Sequence, residues 1–154
     1  MALHAASDAS PWVQRWSHLV TPGAKVLDVA CGGGRHMAWF AELGCQVSGI
    51  DRSQEALALA GQFGVTIQAD MEQGVWPLGT ANSPALFDVV LVTNYLWRPL
   101  FPALLQSLAP GGLLLYETFA SGNERVGKPS RPDFLLQPGE LLERCKGLKI
   151  LAFE

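Results

Sequence analysis

Three consecutive glycines follow a short apolar run near the start of the chain, in the stretch VLDVACGGGRH that begins at Val26. Glycine lets the backbone adopt positive φ and lets a ligand approach the main chain closely. A helix that begins directly after Gly34 would offer its free N–H groups to a polar or anionic group. Many cofactors are bound by such a turn, so the glycines alone indicate a cofactor site without specifying the cofactor.

Acidic side chains are predicted at the ends of three strands. Asp28 lies at the end of the first strand, and Asp51 ends the second strand 23 residues later, where a carboxylate can accept both hydroxyls of a ribose. Asp70 ends the third strand and can accept from an adenine amino group, while Met71 beside it can cover a ring face. These carboxylates suit a ligand with a ribose, an adenine and a positively charged amino acid end better than they suit a diphosphate.

Three side chains are candidates for a catalytic base or acid, if the reaction requires one. Tyr95 and Glu117 each lie just past a predicted strand end, and His36 follows the glycines. Cys31 has no base beside it in the sequence, so we interpret it as a small buried filler. No cysteine pair has metal-ligand spacing, and we predict no metal site.

Short apolar runs alternate with helical patterns along the whole chain. Alternation of this kind predicts an α/β fold with a doubly wound, Rossmann-like and mostly parallel sheet that has helices on both faces. We expect one domain over residues 1–154, with an N-terminal helical lead at 9–20. The predicted strands are 25–29, 46–50, 65–69, 87–93, 113–118 and 148–153, and the predicted helices are 35–43, 53–62, 99–108 and 138–145.

The end of the chain and one breaker segment carry further predictions. Pro110, Gly111 and Gly112 are expected to stop the fourth predicted helix. Because such sheets usually close with a further strand, we expect the last strand or strands to be missing. Either a fragment or a natural short variant would account for that ending.

Composition excludes several classes of protein. Apolar residues make up 49% of the chain and charged residues 16%, which rules out a disordered tail or a coiled coil. The net charge of −3 makes nucleic acid an unlikely partner, and no apolar run is long enough to cross a membrane. A cytoplasmic location is favoured by two features of the sequence. The cysteines number three and show no pairing pattern, and residues 1–10 lack the pattern of a signal peptide. No oligomeric state is predicted.

Together these motifs resemble those of class I S-adenosylmethionine-dependent methyltransferases. The first motif of that family corresponds to residues 28–34, with Ala30 where the first glycine usually stands. Residues 34–36, 116–119 and 132–136 also resemble small bacterial methyltransferases of the tellurite-resistance type. The resemblance implies S-adenosyl-L-methionine as cofactor, held by Asp28, Ala30, Cys31, Gly32, Gly34, Asp51, Arg52, Asp70, Met71, Asn94 and Tyr95.

The function implied by the resemblance is methyl transfer to a small-molecule acceptor. A non-catalytic cofactor-binding or partner domain is one alternative, and a nicotinamide-dependent reductase is another. Against the reductase, Met37 stands where a third glycine of the dinucleotide motif would be expected. The loop at 120–133 carries Arg125, Lys128 and Arg131, and we expect it to form part of the acceptor pocket.

Overall fold

A computed structural model of the protein describes residues 8–154. Its centre is a five-stranded sheet in which all strands are parallel and lie in the order β3-β2-β1-β4-β5. The second and third strands are added on one side of β1 and the last two on the other, so the strand order reverses between β1 and β4. The strands are β1 Lys25–Val29, β2 Gln46–Asp51, β3 Val65–Gln68, β4 Phe87–Thr93 and β5 Leu108–Glu117. The helices are α1 Pro11–Trp16, α2 Arg35–Glu42, α3 Gln54–Ala60, α4 Phe101–Gln106 and α5 Glu140–Arg144, and short 3-10 helices are Ser17–Leu19, Arg98–Leu100, Asn123–Arg125 and Pro132–Phe134.

One face of the sheet is covered by α1, α2 and α3. Val13 of α1, Phe40 of α2 and Leu57 of α3 belong to one buried cluster, together with Val26 of β1 and Leu91 of β4. The apolar positions of α2 recur at helical spacing, which places Met37 and Phe40 together on the face that meets the sheet. The helices of the first half of the chain therefore pack on this face.

The opposite face is covered by α4 and by the segment that contains α5. Phe101 and Leu104 of α4 pack with Cys145 against Leu27 and Val90 of the sheet. Since β1 and β4 contribute to the clusters on both faces, these strands are buried along nearly their full length. The predicted doubly wound sheet with helices on both faces is thus confirmed.

The fifth strand differs from the prediction. The strand β5 begins at Leu108, and the three residues Pro110, Gly111 and Gly112, expected to stop a helix, lie inside it. The pairing of β4 with β5 shifts register between Phe87 and Val89, and Gly111 has φ +75° at this irregularity. The helix α4 itself ends earlier, at Gln106.

The predicted sixth strand at 148–153 is wrong. Within residues 8–154 the sheet has five strands, and β5 pairs only with β4. Leu151 and Phe153 are 55% and 51% exposed, so the apolar run does not enter the core. An apolar run forms a strand only where a neighbouring strand satisfies its backbone N–H and C=O groups, and 148–153 has no such neighbour in the described part of the chain.

Within the range expected for the N-terminal lead, the structure has α1 and the 3-10 helix that follows it, Ser17–Leu19. Residues 1–7, which carry most of the stretch searched for a signal peptide, lie outside the described residues. No helix in the described range, 8–154, combines the length and the apolar character that crossing a membrane requires.

Candidate active site

A cavity of about 370 Å³ opens at the carboxyl ends of the strands, beside the point where the strand order reverses. This is the position where doubly wound sheets bind their ligands. The residues that line it come from the ends of all five strands and from the segment after β5. They are Ala30, Asp51, Arg52, Ala69, Asp70, Met71, Glu72, Asn94, Tyr95, Leu96, Thr118, Phe119, Pro129 and Phe134.

The glycine loop turns sharply between β1 and α2. Ala30, Gly32 and Gly34 all have positive φ, at +57°, +55° and +90°. The Cys31 N–H donates to the carbonyl of Ile50 on β2 at 2.9 Å, which fixes the loop against the neighbouring strand. Ala30 therefore does adopt the conformation that a glycine would take more easily, at a cost of about 1–2 kcal/mol.

The two positive-φ glycines of this loop serve different purposes. A Cβ at Gly32 would meet no atom within 4 Å, so this position faces open space. A Cβ at Gly34 would lie 3.0 Å from Ala60 Cβ and 3.1 Å from Phe63 Cδ2. Gly34 is thus required by the close packing of the loop against α3, whereas Gly32 leaves room for a ligand beside the backbone.

Asp51 connects the glycine loop to the start of α3. Its Oδ2 accepts from the Gly32 N–H at 2.9 Å, and its Oδ1 accepts from the Ser53 N–H at 2.8 Å. Ser53 in turn caps α3 by accepting from the Ala56 N–H. Each carboxylate oxygen of Asp51 retains a further lone pair, so the side chain can accept from a ligand hydroxyl while it holds the loop.

Asp28 lies beneath the same loop and is only 1% exposed. Neither of its carboxylate oxygens has a hydrogen-bond partner among residues 8–154. Burial, partly offset by Arg35 and reinforced by Asp51, raises the pKa of Asp28 to about 8. A buried carboxyl without partners is costly, and a cationic ligand group nearby would relieve that cost.

Asp70 and Met71 follow β3 and line the cavity. Asp70 Oδ1 accepts from the Glu72 N–H at 3.0 Å, which orients the carboxylate at the strand end. Three carboxylates line the cavity, those of Asp51, Asp70 and Glu72, against the one guanidinium of Arg52. The lining therefore favours a cationic ligand over a diphosphate.

Asn94 and Tyr95 follow β4 on the far side of the cavity. Asn94 has φ +54°, and its N–H donates to the Glu117 carbonyl of β5 at 2.8 Å. The Tyr95 carbonyl accepts from the Tyr116 hydroxyl at 2.7 Å. Burial, together with the nearby Glu72 and Asp70, raises the pKa of the Tyr95 phenol above its usual value. At neutral pH the phenol is a hydrogen-bond donor and not a base.

Cys31 lies in the glycine loop but does not line the cavity. It is 7% exposed, and its Sγ is 2.7 Å from the position that a Cβ on Gly49 would occupy. Burial and the nearby carboxylates raise the pKa of its thiol to about 12. These facts fit the interpretation of Cys31 as a filler.

The structure does not bring His36 to the cavity. His36 is 2% exposed; its Nε2 accepts from the Ser10 N–H at 3.0 Å, and its Nδ1 lies 3.4 Å from Thr93 Oγ1. Burial and the neighbouring Arg35 lower its pKa to about 4, so the ring is neutral. This histidine ties the N-terminal lead to β4 and has no free nitrogen to offer a substrate.

Glu117, the other acidic candidate, also points elsewhere. Its carboxylate accepts from the Ser10 hydroxyl, and it lines the open groove along β5 and not the 370 Å³ cavity. Its backbone carbonyl, bonded to Asn94, is what supports the site. Of the three candidate acid–base residues, only Tyr95 lines the cavity.

Several residues of the wall that follows β5 were not expected from the sequence. Phe119 and Phe134 line the cavity, as does Pro129 from the loop at 120–133. The resemblance covered 116–119 and 132–136 without assigning a contact there. By contrast the three basic residues of this loop, Arg125, Lys128 and Arg131, are exposed and do not line the cavity.

Residues 26–112 match the model of a family described as "Methyltransferase domain". This chain belongs to that family. The methyltransferase domain is 32% identical over 114 residues to the ubiquinone biosynthesis O-methyltransferase of Burkholderia thailandensis, covering 70% of this chain and 48% of the relative. The chain thus spans about half the length of the curated relatives it matches.

Solved structures share the fold of this methyltransferase domain. TehB from Haemophilus influenzae has a TM-score of 0.75 at 21% identity, over 97% of this chain and 54% of that one. A SAM-dependent methyltransferase from Geobacter sulfurreducens, in complex with S-adenosyl-L-homocysteine, has a TM-score of 0.63 at 22% identity, over 92% of this chain and 64% of that one. The resemblance to class I methyltransferases is therefore confirmed at the level of family and fold.

Proposed function

We propose that this chain binds S-adenosyl-L-methionine in the 370 Å³ cavity and supports transfer of its methyl group to a small-molecule acceptor. The observation that carries the proposal is Asp28, a carboxyl that is buried beneath the glycine loop and has no hydrogen-bond partner within residues 8–154. A ligand with a cationic amino acid end supplies the charge that this carboxyl lacks. The relatives' names are consistent with the same chemistry.

We assign different residues of the site to different parts of the cofactor. Asp51 accepts from the ribose hydroxyls while it holds Gly32, and Asp70 accepts from the adenine amino group with Met71 against the ring. The amino acid end lies on the side of Ala30; of the glycine loop only Ala30 lines the cavity, and Asp28 is buried beneath that loop. Arg52, Asn94 and Tyr95 complete the set at the rim.

When bound, the cofactor supplies a methyl group already activated as a sulfonium. The protein has to align an acceptor with that methyl group and exclude water. Tyr95, Phe119 and Phe134 provide apolar surface for this purpose on the far wall. Tyr95 keeps its proton and does not act as a base, so we propose that the acceptor arrives with a free lone pair or loses its proton to solvent.

The charge of the lining and the state of the cysteines indicate which partners and which location we propose. The excess of carboxylates disfavours nucleic acid as the acceptor, since phosphates would be repelled. Three free cysteines, two of them buried, are consistent with a reducing, cytoplasmic environment.

Isothermal titration of the protein with S-adenosylhomocysteine and with NADH tests the cofactor assignment. We expect binding of the first and none of the second, and the reverse result would favour a reductase. A methyl-transfer assay across thiol, amine, phenol and catechol acceptors then separates an enzyme from a non-catalytic binding domain. Cofactor binding without transfer to any of them would support the non-catalytic alternative.

A further inference from the structure

Two chain segments form the far side of the cavity. The first follows β4 and contributes Asn94, Tyr95 and Leu96, and the second follows β5 and contributes Phe119, Pro129 and Phe134. They belong to different parts of the sequence, so something other than chain connectivity must fix the distance between them.

Arg98 joins the two segments. It begins the 3-10 helix Arg98–Leu100, two residues after the first segment. Its Nη1 donates to the carbonyl of Asp133 at 3.1 Å, and its Nη2 donates to the carbonyl of Leu135 at 2.9 Å. These two carbonyls belong to the residues before and after Phe134, which lines the cavity. Arg98 therefore holds the backbone on both sides of Phe134.

Glu140 holds the guanidinium in this position. Its carboxylate accepts from Arg98 Nε at 2.6 Å and from Arg98 Nη2 at 2.9 Å. The Gln137 N–H and Arg144 Nε complete its hydrogen bonds at 3.0 Å and 2.9 Å. Glu140 is 11% exposed, and its hydrogen bonds, those from Arg98 above all, lower its pKa to about 2. The pair therefore stays charged at physiological pH.

We propose that Arg98 is a positioning residue that fixes the post-β5 wall against the post-β4 wall and so controls how long a bound cofactor is retained. The proposal rests on the proposed function. Arginine is required because its planar fork serves a carboxylate and two carbonyls at once, which the single ammonium of lysine cannot do. Without the fork, Phe134 and its neighbours lose their attachment to the first segment.

The first test is amide hydrogen exchange on the cofactor-free protein, comparing Arg98→Lys with the wild type. The reporting amides are those of Ser121 and Leu136, which donate to the carbonyls of Leu136 and Phe119. The reference amide is that of Cys31, which donates to Ile50 on the other side of the cavity. We expect exchange to increase roughly tenfold at the reporting amides, the effect of losing one or two net hydrogen bonds, and to be unchanged at the reference.

Arg144→Lys is the matched control. Arg144 donates to the same carboxylate and packs over the ring of Phe101, but the structure gives it no hydrogen bond to the post-β5 carbonyls. Its replacement should lower thermal stability without changing exchange at Ser121 and Leu136. Equal exchange in Arg98→Lys and the wild type, or the same increase in Arg144→Lys, would overturn the proposal.

The second test measures release of radiolabelled S-adenosylhomocysteine from the preloaded protein. Release should be about five- to tenfold faster from Arg98→Lys and unchanged from Arg144→Lys, because only the first variant loosens the wall. Unchanged release from Arg98→Lys would overturn the retention role. If the wild type bound no S-adenosylhomocysteine, the proposed function would fail, while the exchange experiment would still decide whether Arg98 fixes the wall.

Discussion

The carboxylate of Asp51 accepts from the Gly32 N–H at 2.9 Å, which joins the end of β2 to the glycine loop that follows β1. The second oxygen accepts from the Ser53 N–H at the start of α3. One side chain thus orders both the loop and the next helix. The same residue lines the cavity, so the part of the site that would meet a ribose is organised before any ligand arrives.

Replacing Asp51 with alanine should weaken both the fold and cofactor binding. The loss of two charge-assisted bonds to a ribose should raise the Kd for S-adenosylhomocysteine about ten- to a hundredfold, or about 1.5–3 kcal/mol. The loss of the bonds to Gly32 and Ser53 should also lower the thermal midpoint. Titration calorimetry and thermal melts on the same samples measure the two effects.

Asp88→Ala provides the control for that experiment. Asp88 Oδ2 accepts from the Lys25 N–H at 2.8 Å. This is a bond of the same kind, but it lies at the amino ends of β4 and β1, away from the cavity. Its loss should lower the thermal midpoint without changing the Kd. If Asp51→Ala affected only stability, as the control does, the assignment of Asp51 to the ribose would be wrong.

Gly32→Ala should impair binding more than its effect on stability explains. The new Cβ would occupy the open space beside the loop, and the positive φ would cost about 1–2 kcal/mol. Gly23 is a matched control because it also has positive φ, +85°, with open space around its Cβ position, but lies before β1. Both variants should lose similar stability, and only Gly32→Ala should lose affinity for S-adenosylhomocysteine.

Gly34→Ala should behave differently again. Its Cβ would press on Ala60 and Phe63, so overpacking adds about 1–3 kcal/mol to the backbone strain. We expect a larger fall in the thermal midpoint than for Gly32→Ala. A Gly34→Ala protein as stable as the wild type would show that α3 can move away from the loop without loss.

The sequence predicted best those elements whose signals are local. The bounds of β1 and β4 agree with the prediction, because each is an apolar run with polar residues or breakers at its ends. The wrong sixth strand and the irregular start of β5 depend on which strands pair, and pairing is not a property of the run itself.

The predictions for the site divide in the same way. The residues at strand ends, such as Asp51 and Asp70, line the cavity because parallel topology brings those ends together. His36 does not line it, because its ring is bonded to the Ser10 N–H, a partner 26 residues away in sequence that no local pattern indicates. Phe134 was missed because only the path of the chain after β5 returns it to the cavity.

Asp28 should give the cofactor-free protein a stability that falls as pH rises. The folded state keeps a proton on Asp28 up to a pKa of about 8, whereas the unfolded chain loses it near 3.8. The folded state therefore binds more protons across this window, and its free energy of unfolding decreases from pH 3.8 towards pH 8. Between pH 6.5 and 8, above the range in which His36 titrates in either state, thermal melts should show this slope in the wild type and not in Asp28→Asn.

Asp28→Asn should at the same time bind the cofactor less tightly. The amide cannot become an anion opposite a cationic amino group, so we expect the Kd for S-adenosylhomocysteine to rise about tenfold or more at pH 8. Binding to the wild type below pH 8 should release a proton, which titrations in buffers of different ionisation enthalpy measure. If Asp28→Asn were more stable than the wild type and bound the cofactor as tightly, Asp28 would have no part in cofactor binding.

His36 should affect stability and its pH dependence but not binding. Its pKa is lowered from 6.5 to about 4, so the unfolded state binds the extra proton first as pH falls. The stability contributed by the neutral ring is complete above pH 6.5 and is lost as pH falls towards 4. His36→Gln should melt at a lower temperature at pH 7 and should lack this acid-side loss, when compared with the wild type at each pH.

The exposed His18, whose Nδ1 contacts only the Arg15 carbonyl at 2.9 Å in the described chain, is the control residue. His18→Gln should not change the thermal midpoint appreciably. Both variants should bind S-adenosylhomocysteine within about twofold of the wild type, since neither ring lines the cavity. A folded His36→Gln protein that had lost methyl transfer but kept cofactor affinity would instead show that His36 takes part in the reaction, and that the bonds from Ser10 and to Thr93 give way when the acceptor binds.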